Sequence, residues 1–68
     1  MEYLAKVWNA GHTIEAHVEA REYQGEVEIE FATSFAYVDD EIVTLDSVGE
    51  QLQMLLIDDA YEQWVMDY

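Results

Sequence analysis

Carboxylates are the side chains with the greatest capacity for chemistry in this sequence. Sixteen Asp and Glu residues face only two cations, Lys6 and Arg21, so the formal net charge is −14. Carboxylates serve proteins as general acids and bases, as ligands for Ca²⁺ or as a negative surface that attracts basic partners. Because carboxylates are so abundant here, their number does not distinguish among these three uses. Only their arrangement in the sequence can distinguish them.

Metal binding lacks the pattern that it requires. Calcium loops need oxygen ligands at alternating positions around a central glycine, and neither acidic cluster in the second half of the chain has that spacing. His12 and His17 lie five positions apart, which places them on opposite faces of a strand or puts His12 in a turn. A zinc site would need a third convergent ligand. We interpret both as surface histidines among carboxylates.

The other residue types argue against an enzyme. The sequence has no cysteine, and its three glycines are isolated, which excludes thiolate metal sites and phosphate-cradling loops. Ser34 and Ser47 are the only serines, and Ser47 is explained as a helix cap. We therefore expect no catalytic residue, no metal, no cofactor and no enzymatic activity.

The elements that position the carboxylates begin with a hairpin. Apolar and polar residues alternate over residues 14–21 and again over residues 26–31, within predicted strands of residues 13–23 and 26–34. A period of two indicates strands with one buried face. Gly25, between the two runs, tolerates the positive φ of a tight turn. The sequence predicts an antiparallel hairpin whose acidic face points to solvent.

Further strands flank this hairpin. Residues 3–8 are apolar enough for a strand, joined to the hairpin by a turn at residues 9–11. Residues 35–38 either continue the second hairpin strand or bend away from it. Asp39-Asp40 is typical of a turn, and residues 41–45 form a short β-branched run that predicts another strand.

The C-terminal third predicts helix. Ser47 and Glu50 match a capping box, and an apolar face follows over residues 48–56. Beyond Ile57 the apolar phase shifts, and Asp59 with Glu62 resembles a second capping box. Either one helix is buried on two sides, or two short helices break near Asp58-Asp59, and we favour the break. The predicted class is α+β, a single domain of residues 1–68: a small antiparallel sheet of three to four strands with one or two C-terminal helices packed on one face.

The arrangement of the acids nominates a binding surface. Side chains on one strand face recur about every 6.6–6.8 Å, while each DNA strand carries a phosphate about every 3.4 Å, so a two-stranded carboxylate ladder has a comparable charge density. An ordinary solvated sheet face is the alternative. The nominated partner-binding acids are Glu15, Glu19, Glu28 and Glu30 on the hairpin, Asp39 and Asp40 in the turn, and Asp58, Asp59 and Glu62 near the C-terminus.

The charge also excludes classes of partner. Lys6 and Arg21 cannot neutralise a phosphate backbone, so nucleic acid and anionic membranes are excluded as direct ligands. A solubility-driven surface on a small domain needs a net charge of only about 2–8. The partner expected from the residues is therefore a basic protein. No apolar run approaches the length of a membrane span and no basic stretch precedes an apolar one, so we expect a soluble protein in the cytoplasm.

Aromatic side chains offer a rival surface. Trp8, Trp64, Tyr61 and Tyr68 could anchor a partner, because Trp and Tyr are favoured at interfaces. Alternatively, a small core simply needs large side chains, which is our interpretation of Trp64. Under the rival hypothesis the chain is an antitoxin or regulatory protein that binds one partner through its C-terminal helix. A self-associating accessory protein is a third possibility, and the chain is expected to be a monomer or a small homo-oligomer.

The acidic hairpin of residues 14–31, the polar turn and the Asp-rich helix of residues 56–67 together resemble the small acidic inhibitors encoded by bacteriophages and other mobile elements. These include anti-CRISPR proteins and DNA-mimic inhibitors of restriction or repair enzymes. The resemblance is one of size, charge and layout over the whole chain. It implies function by occlusion, in which the protein covers a basic nucleic-acid-binding surface of a bacterial defence complex, with a CRISPR–Cas effector in the host cytoplasm as the leading target.

Overall fold

The alternating segments build one antiparallel sheet in the computed structural model, which describes residues 1–67. Within that range the strands are β1 Glu2–Asn9, β2 His12–Tyr23, β3 Glu26–Phe31, β4 Phe35–Val38 and β5 Glu41–Thr44. β2 is central, with β1 along one side, β3 and then β4 along the other, and β5 outside β4. A C-terminal helix packs against the sheet, so the predicted α+β class is confirmed, with a fifth strand.

Two-residue turns close the hairpins where the sequence predicted turns. Ala10-Gly11 joins β1 to β2, Gln24-Gly25 joins β2 to β3, and Asp39-Asp40 joins β4 to β5. Both residues of each turn have a positive φ. That is the conformation of a type I′ turn, whose twist matches the twist of the flanking strands.

β3 and β4 are two parts of one line of chain along β2, separated by a bulge. Val18 of β2 pairs with Phe31 of β3, and Ile14 of β2 pairs with Val38 of β4. The two β2 residues are four positions apart in sequence, whereas their two partners are seven positions apart. Residues 32–34 are the extra ones, and they bend the strand without detaching it. Of the two alternatives for β4, the structure therefore selects continuation of the second hairpin strand.

The helical region corrects the predicted break. A short helix α1, Leu45–Val48, is followed by Gly49 and by a single long helix α2, Glu50–Asp67. The helix runs unbroken through Asp58 and Asp59, so the favoured pair of helices divided there is wrong. The interruption lies at Gly49, whose φ of 90° and ψ of 149° are not helical.

Both predicted capping boxes are also wrong. Ser47 lies inside α1, and its Oγ donates to the carbonyl oxygen of Thr44 at 2.7 Å instead of capping the helix that Glu50 begins. Asp59 and Glu62 lie in the interior of α2, where the backbone N–H groups already bond within the helix. Neither sequence match to a capping box therefore lies at the start of a helix: Ser47 lies within α1, and Asp59 and Glu62 lie within α2.

The core lies between α2 and the sheet and contains few large side chains. Leu56 and Val18 are the largest side chains that are fully buried. Most other buried positions are alanines, and their small size lets the helix approach the strands closely. The buried alanines are Ala5, Ala16, Ala20, Ala36 and Ala60. Within residues 1–67, no helix is both long and apolar enough to cross a membrane.

Candidate binding surface

The strand register assigns each acid of the sheet to a face. Residues directly opposite each other on antiparallel strands share a face. Ala16 lies opposite Ala5 under α2, whereas Glu15 lies opposite Lys6 on the other side, the helix-free face. The register places six acids on the helix-free face: Glu2, Glu15, Glu19, Glu26, Glu28 and Glu30. All four nominated hairpin glutamates are among them.

Arg21 interrupts the predicted ladder of hairpin glutamates. Its guanidinium forms ion pairs with Glu30 and, at 3.5 Å, with Glu19, and its cross-strand neighbour is Glu28. Glu28 and Glu30 are exposed, whereas Glu15 and Glu19 are only partly exposed. The structure therefore brings three of the four nominated glutamates together, but around a cation that neutralises part of their charge.

The nominated turn acids differ in their contacts. Asp39 Oδ2 lies 2.6 Å from His12 Nδ1, and Asp39 Oδ1 accepts the backbone N–H of Thr13 at 3.0 Å. These hydrogen bonds, first that of His12 and then that of Thr13, hold the pKa of Asp39 below its usual value. Asp39 thus ties the β4–β5 turn to the start of β2, while Asp40 is exposed.

The nominated C-terminal acids divide into one structural and two surface residues. Asp59 Oδ2 accepts the backbone N–H of Lys6 at 2.9 Å and the side-chain amide of Gln63 at 2.9 Å. Gln63 also donates to the carbonyl oxygen of Leu4 at 3.0 Å. These two side chains of α2 therefore occupy the outer edge of β1. Asp58 and Glu62 are exposed.

Another helix–sheet contact joins Tyr3 to the end of α2. The Tyr3 hydroxyl donates to Asp67 Oδ2 at 3.3 Å. Removal of the hydroxyl from water raises the pKa of Tyr3, and the charge of Asp67 and this hydrogen bond raise it further. Asp67, like Asp59, therefore contributes to the attachment of α2 to β1.

The two cations are not spread evenly among the acids. Lys6 and Arg21 both lie on the helix-free face, which holds six of the sixteen acids. The other ten acids lie on the helix side of the sheet, in the loops and on the helices, and no Lys or Arg accompanies them. The least compensated part of the surface is therefore α2 and the loops rather than the hairpin face that the sequence emphasised.

Acids lie beside β3 on both faces of the sheet. Glu28 and Glu30 lie on its helix-free side, and a cavity of about 300 Å³ lies on its helix side. Asp58 lines that cavity together with Glu50, which was not among the acids predicted from the sequence. Glu26 was not predicted as a site residue either, although it follows the same alternation as its neighbours. Glu50 had no comparable signal, because its position depends on how α2 crosses β3.

The aromatic side chains do not form the single patch considered from sequence. Trp8 is 69% exposed on the helix-free face, with the Lys6 ammonium 5.4 Å from its ring. Tyr61 and Trp64 contact each other on α2, at 6.0 Å between ring centroids. Tyr68 lies outside the described residues.

A further aromatic group was not foreseen. His17, Phe35 and Tyr37 make mutual edge contacts on the helix-free face. His17 Nδ1 lies 3.2 Å from Glu2 Oε1, so both histidines lie beside carboxylates, as the sequence indicated. Among residues 1–67, no three His, Asp or Glu side chains are arranged to hold a metal ion.

Comparisons with known proteins add no family to these observations. No protein-family model, curated protein or solved structure matches the chain.

Proposed function

We propose that the protein is an inhibitor from a phage or mobile element that binds a basic nucleic-acid-binding surface of a bacterial defence complex. A CRISPR–Cas effector is the leading target, and the mechanism is electrostatic competition with DNA or RNA. The supporting observation is the separation of charges: both Lys6 and Arg21 lie on one face of the sheet, and ten acids elsewhere have no Lys or Arg among them.

The contacts of the nominated acids divide them into a recognition group and a structural group. Glu28, Asp40, Asp58 and Glu62 are exposed and free to face a partner's cations. Asp59 is occupied by hydrogen bonds from β1 and α2. Glu15 and Glu19 are partly covered and Asp39 holds His12. The proposal therefore assigns recognition chiefly to the first group.

The test measures target-DNA binding by purified, guide-loaded CRISPR–Cas effectors with increasing amounts of this protein. We expect inhibition that weakens with added salt, because long-range attraction between opposite charges is screened. Replacing two recognition acids, Glu28→Gln with Asp58→Asn, should raise the half-inhibitory concentration about tenfold, at roughly 0.7 kcal/mol for each charge.

A matched variant controls for net charge. Glu41→Gln with Asp46→Asn removes the same charge from exposed positions outside the nominated set, and it should inhibit nearly as well as the original protein. If the protein leaves DNA binding unchanged for every effector tested, or if its association rate with the effector does not change with salt, the proposed function is wrong.

One observation favours the second candidate, an antitoxin or regulatory protein that binds through α2. Among residues 1–67, half of the large apolar side chains that are exposed lie on this helix: Met54, Leu55, Tyr61, Val65 and Met66. In that case, Tyr61→Ser with Met66→Ser should abolish partner binding, whereas Glu28→Gln with Asp58→Asn should leave it nearly unchanged. Comparing the two double variants in one binding assay separates the two functions.

A further inference from the structure

β3 has an open edge. One side of β3 pairs with β2, and no strand within residues 1–67 pairs with the other. The corresponding edge of β1 is different, because Asp59 and Gln63 of α2 bond to its backbone. An open edge presents backbone donors and acceptors that can pair with an additional strand.

The hydrogen-bond pattern identifies the backbone groups on that edge. The N–H of Ala32 donates to the carbonyl oxygen of His17 at 2.9 Å. Because hydrogen-bonded and non-bonded pairs alternate in an antiparallel ladder, Glu26, Glu28 and Glu30 bond to β2. The N–H and C=O groups that point to the open edge are those of Val27, Ile29 and Phe31.

A contact on the far side of β2 supports this assignment independently. The backbone of Ala20 exchanges both hydrogen bonds with Met1, each at 2.7 Å. The backbone N–H and C=O of Ala20 therefore point toward β1. Ile29, which lies opposite Ala20 on β3, therefore points its backbone N–H and C=O toward the open edge.

Side chains on the two sides of β3 differ in chemistry. On the helix-free side, Glu26, Glu28 and Glu30 follow one another at every second position. On the helix side, Phe31 lines the cavity of about 300 Å³ with Met54 and Ile57 of α2, and the polar residues Glu50, Gln53 and Asp58 line it as well. A strand added to β3 would thus place alternate side chains beside glutamates and beside a cavity with apolar and acidic walls.

We propose that the open edge of β3 binds an extended basic segment of the partner as an additional strand of the sheet. Lys or Arg at alternate positions of that segment faces Glu26, Glu28 and Glu30, and an apolar side chain between them enters the cavity. Backbone hydrogen bonds supply affinity and the alternating side chains supply specificity. This inference rests on the proposed function, because it specifies how the basic partner is held.

Charge complementarity selects a basic segment over a second copy of this chain. Pairing β3 with β3 of another copy would bring two rows of three glutamates onto the same sheet face, and like charges on paired strands are destabilising. A segment with alternating Lys and apolar residues replaces that repulsion with attraction.

The experiment titrates the ¹⁵N-labelled protein with the peptide Lys-Val-Lys-Ile-Lys-Val-Lys and follows amide shifts and amide hydrogen exchange. The control peptide, Lys-Lys-Lys-Lys-Val-Ile-Val, has the same composition without the alternation. We expect the alternating peptide to bind about tenfold more tightly, since only it can make the full set of backbone and side-chain contacts. Exchange should slow at the amides of Val27, Ile29 and Phe31.

Two proline variants test the edge itself. Val27→Pro removes an outward N–H from β3, at a residue outside the core cluster, and proline is tolerated where an edge N–H faces solvent. This substitution should weaken binding of the alternating peptide about tenfold. Ile42→Pro is the matched control, because Ile42 is exposed and its N–H points outward from β5. That variant should bind as the original protein does.

Each remaining outcome overturns the inference. Equal binding of both peptides without protection of the β3 amides would mean attraction by net charge only, and doubling of the mass would mean a second copy. The exchange measurement on the original protein decides the matter if Val27→Pro does not fold. If folded Val27→Pro still inhibits an effector fully, the β3 edge is not the site, yet the proposed function stands. The proposed function is tested separately by whether the original protein inhibits DNA binding by an effector at all, and by whether that inhibition weakens with salt.

Discussion

Asp59 accepts the backbone N–H of Lys6 on the outer edge of β1 and is held by Gln63 one helical turn later. Its neighbour Asp58 is exposed and has no such contact with β1. Two adjacent carboxylates with the same intrinsic chemistry therefore have different roles, one holding the helix on the sheet and one facing solvent.

We predict that Asp59→Ala lowers the free energy of unfolding by about 1 kcal/mol, the usual net contribution of a hydrogen bond. Asp58→Ala is the matched control and should change stability by less than about 0.5 kcal/mol. Urea denaturation of both variants measures the difference. Equal effects of the two substitutions would contradict a structural role for Asp59.

The contact between Asp39 and His12 makes the folding stability of the protein depend on pH, in a direction that the lowered pKa of Asp39 fixes. The pKa of Asp39 is lowered in the folded protein, so its ionised form contributes stability above the pKa of an unfolded Asp, about 3.9. That contribution is lost as the pH falls through the lower folded pKa.

Asp39→Asn isolates this effect from the other acids, which also protonate on acidification. The stability difference between the original protein and Asp39→Asn should be greatest above about pH 5 and shrink toward pH 3. Thermal unfolding across this range checks it. A difference that stays constant with pH would show that ionised Asp39 adds nothing.

At the scale of elements, Gly49 separates α1 from α2. Its φ of 90° with ψ of 149° belongs to a region that is nearly restricted to glycine. A Cβ at this position would meet no atom within 4 Å, so the constraint comes from the backbone and not from packing.

Gly49→Ala should therefore destabilise the protein by about 1–3 kcal/mol, the cost of holding a non-glycine residue in this conformation. Gln51→Ala, at an exposed position of α2, is the control and should be neutral or slightly stabilising because alanine favours helix. Chemical denaturation measures both. A neutral Gly49→Ala would mean that α1 and α2 join into one helix without penalty.

At the scale of the whole molecule, a net charge of −14 is carried by a chain of only 68 residues. Repulsion among the acids opposes compaction, and a domain of this size has little stability in reserve. The core adds to this sensitivity, since Leu56 and Val18 are its largest fully buried side chains.

Added salt should consequently stabilise the fold, because at about 1 M the screening length falls to about 3 Å. Each 1 kcal/mol of relieved repulsion should raise the unfolding midpoint by about 4–8 °C in a domain of this size. Thermal unfolding in dilute buffer and in concentrated NaCl tests this. A midpoint that falls as NaCl is added would contradict net repulsion in the folded state.

The sequence by itself predicted the hairpin, the strands on either side of it, the turns and the placement of the hairpin glutamates on one face, but it left residues 35–38 open between two alternatives. These features are local: alternation with period two and turn residues that tolerate positive φ act between near neighbours. The same local reasoning failed at Asp58-Asp59, because Tyr61 and Val65 are apolar residues that α2 leaves exposed. Their phase shift resembled a helix break.

Only the tertiary structure decided which acids are available. Asp59 is occupied because α2 crosses the edge of β1, at a residue 53 positions away in sequence. The edge of β3 stays open because β4 continues along β2 after a bulge and α2 leans toward β1. Such contacts join residues distant in the chain, and no local pattern encodes them. The composition gives the net negative charge, but the packing of the helix on the sheet determines which acids are accessible to a partner.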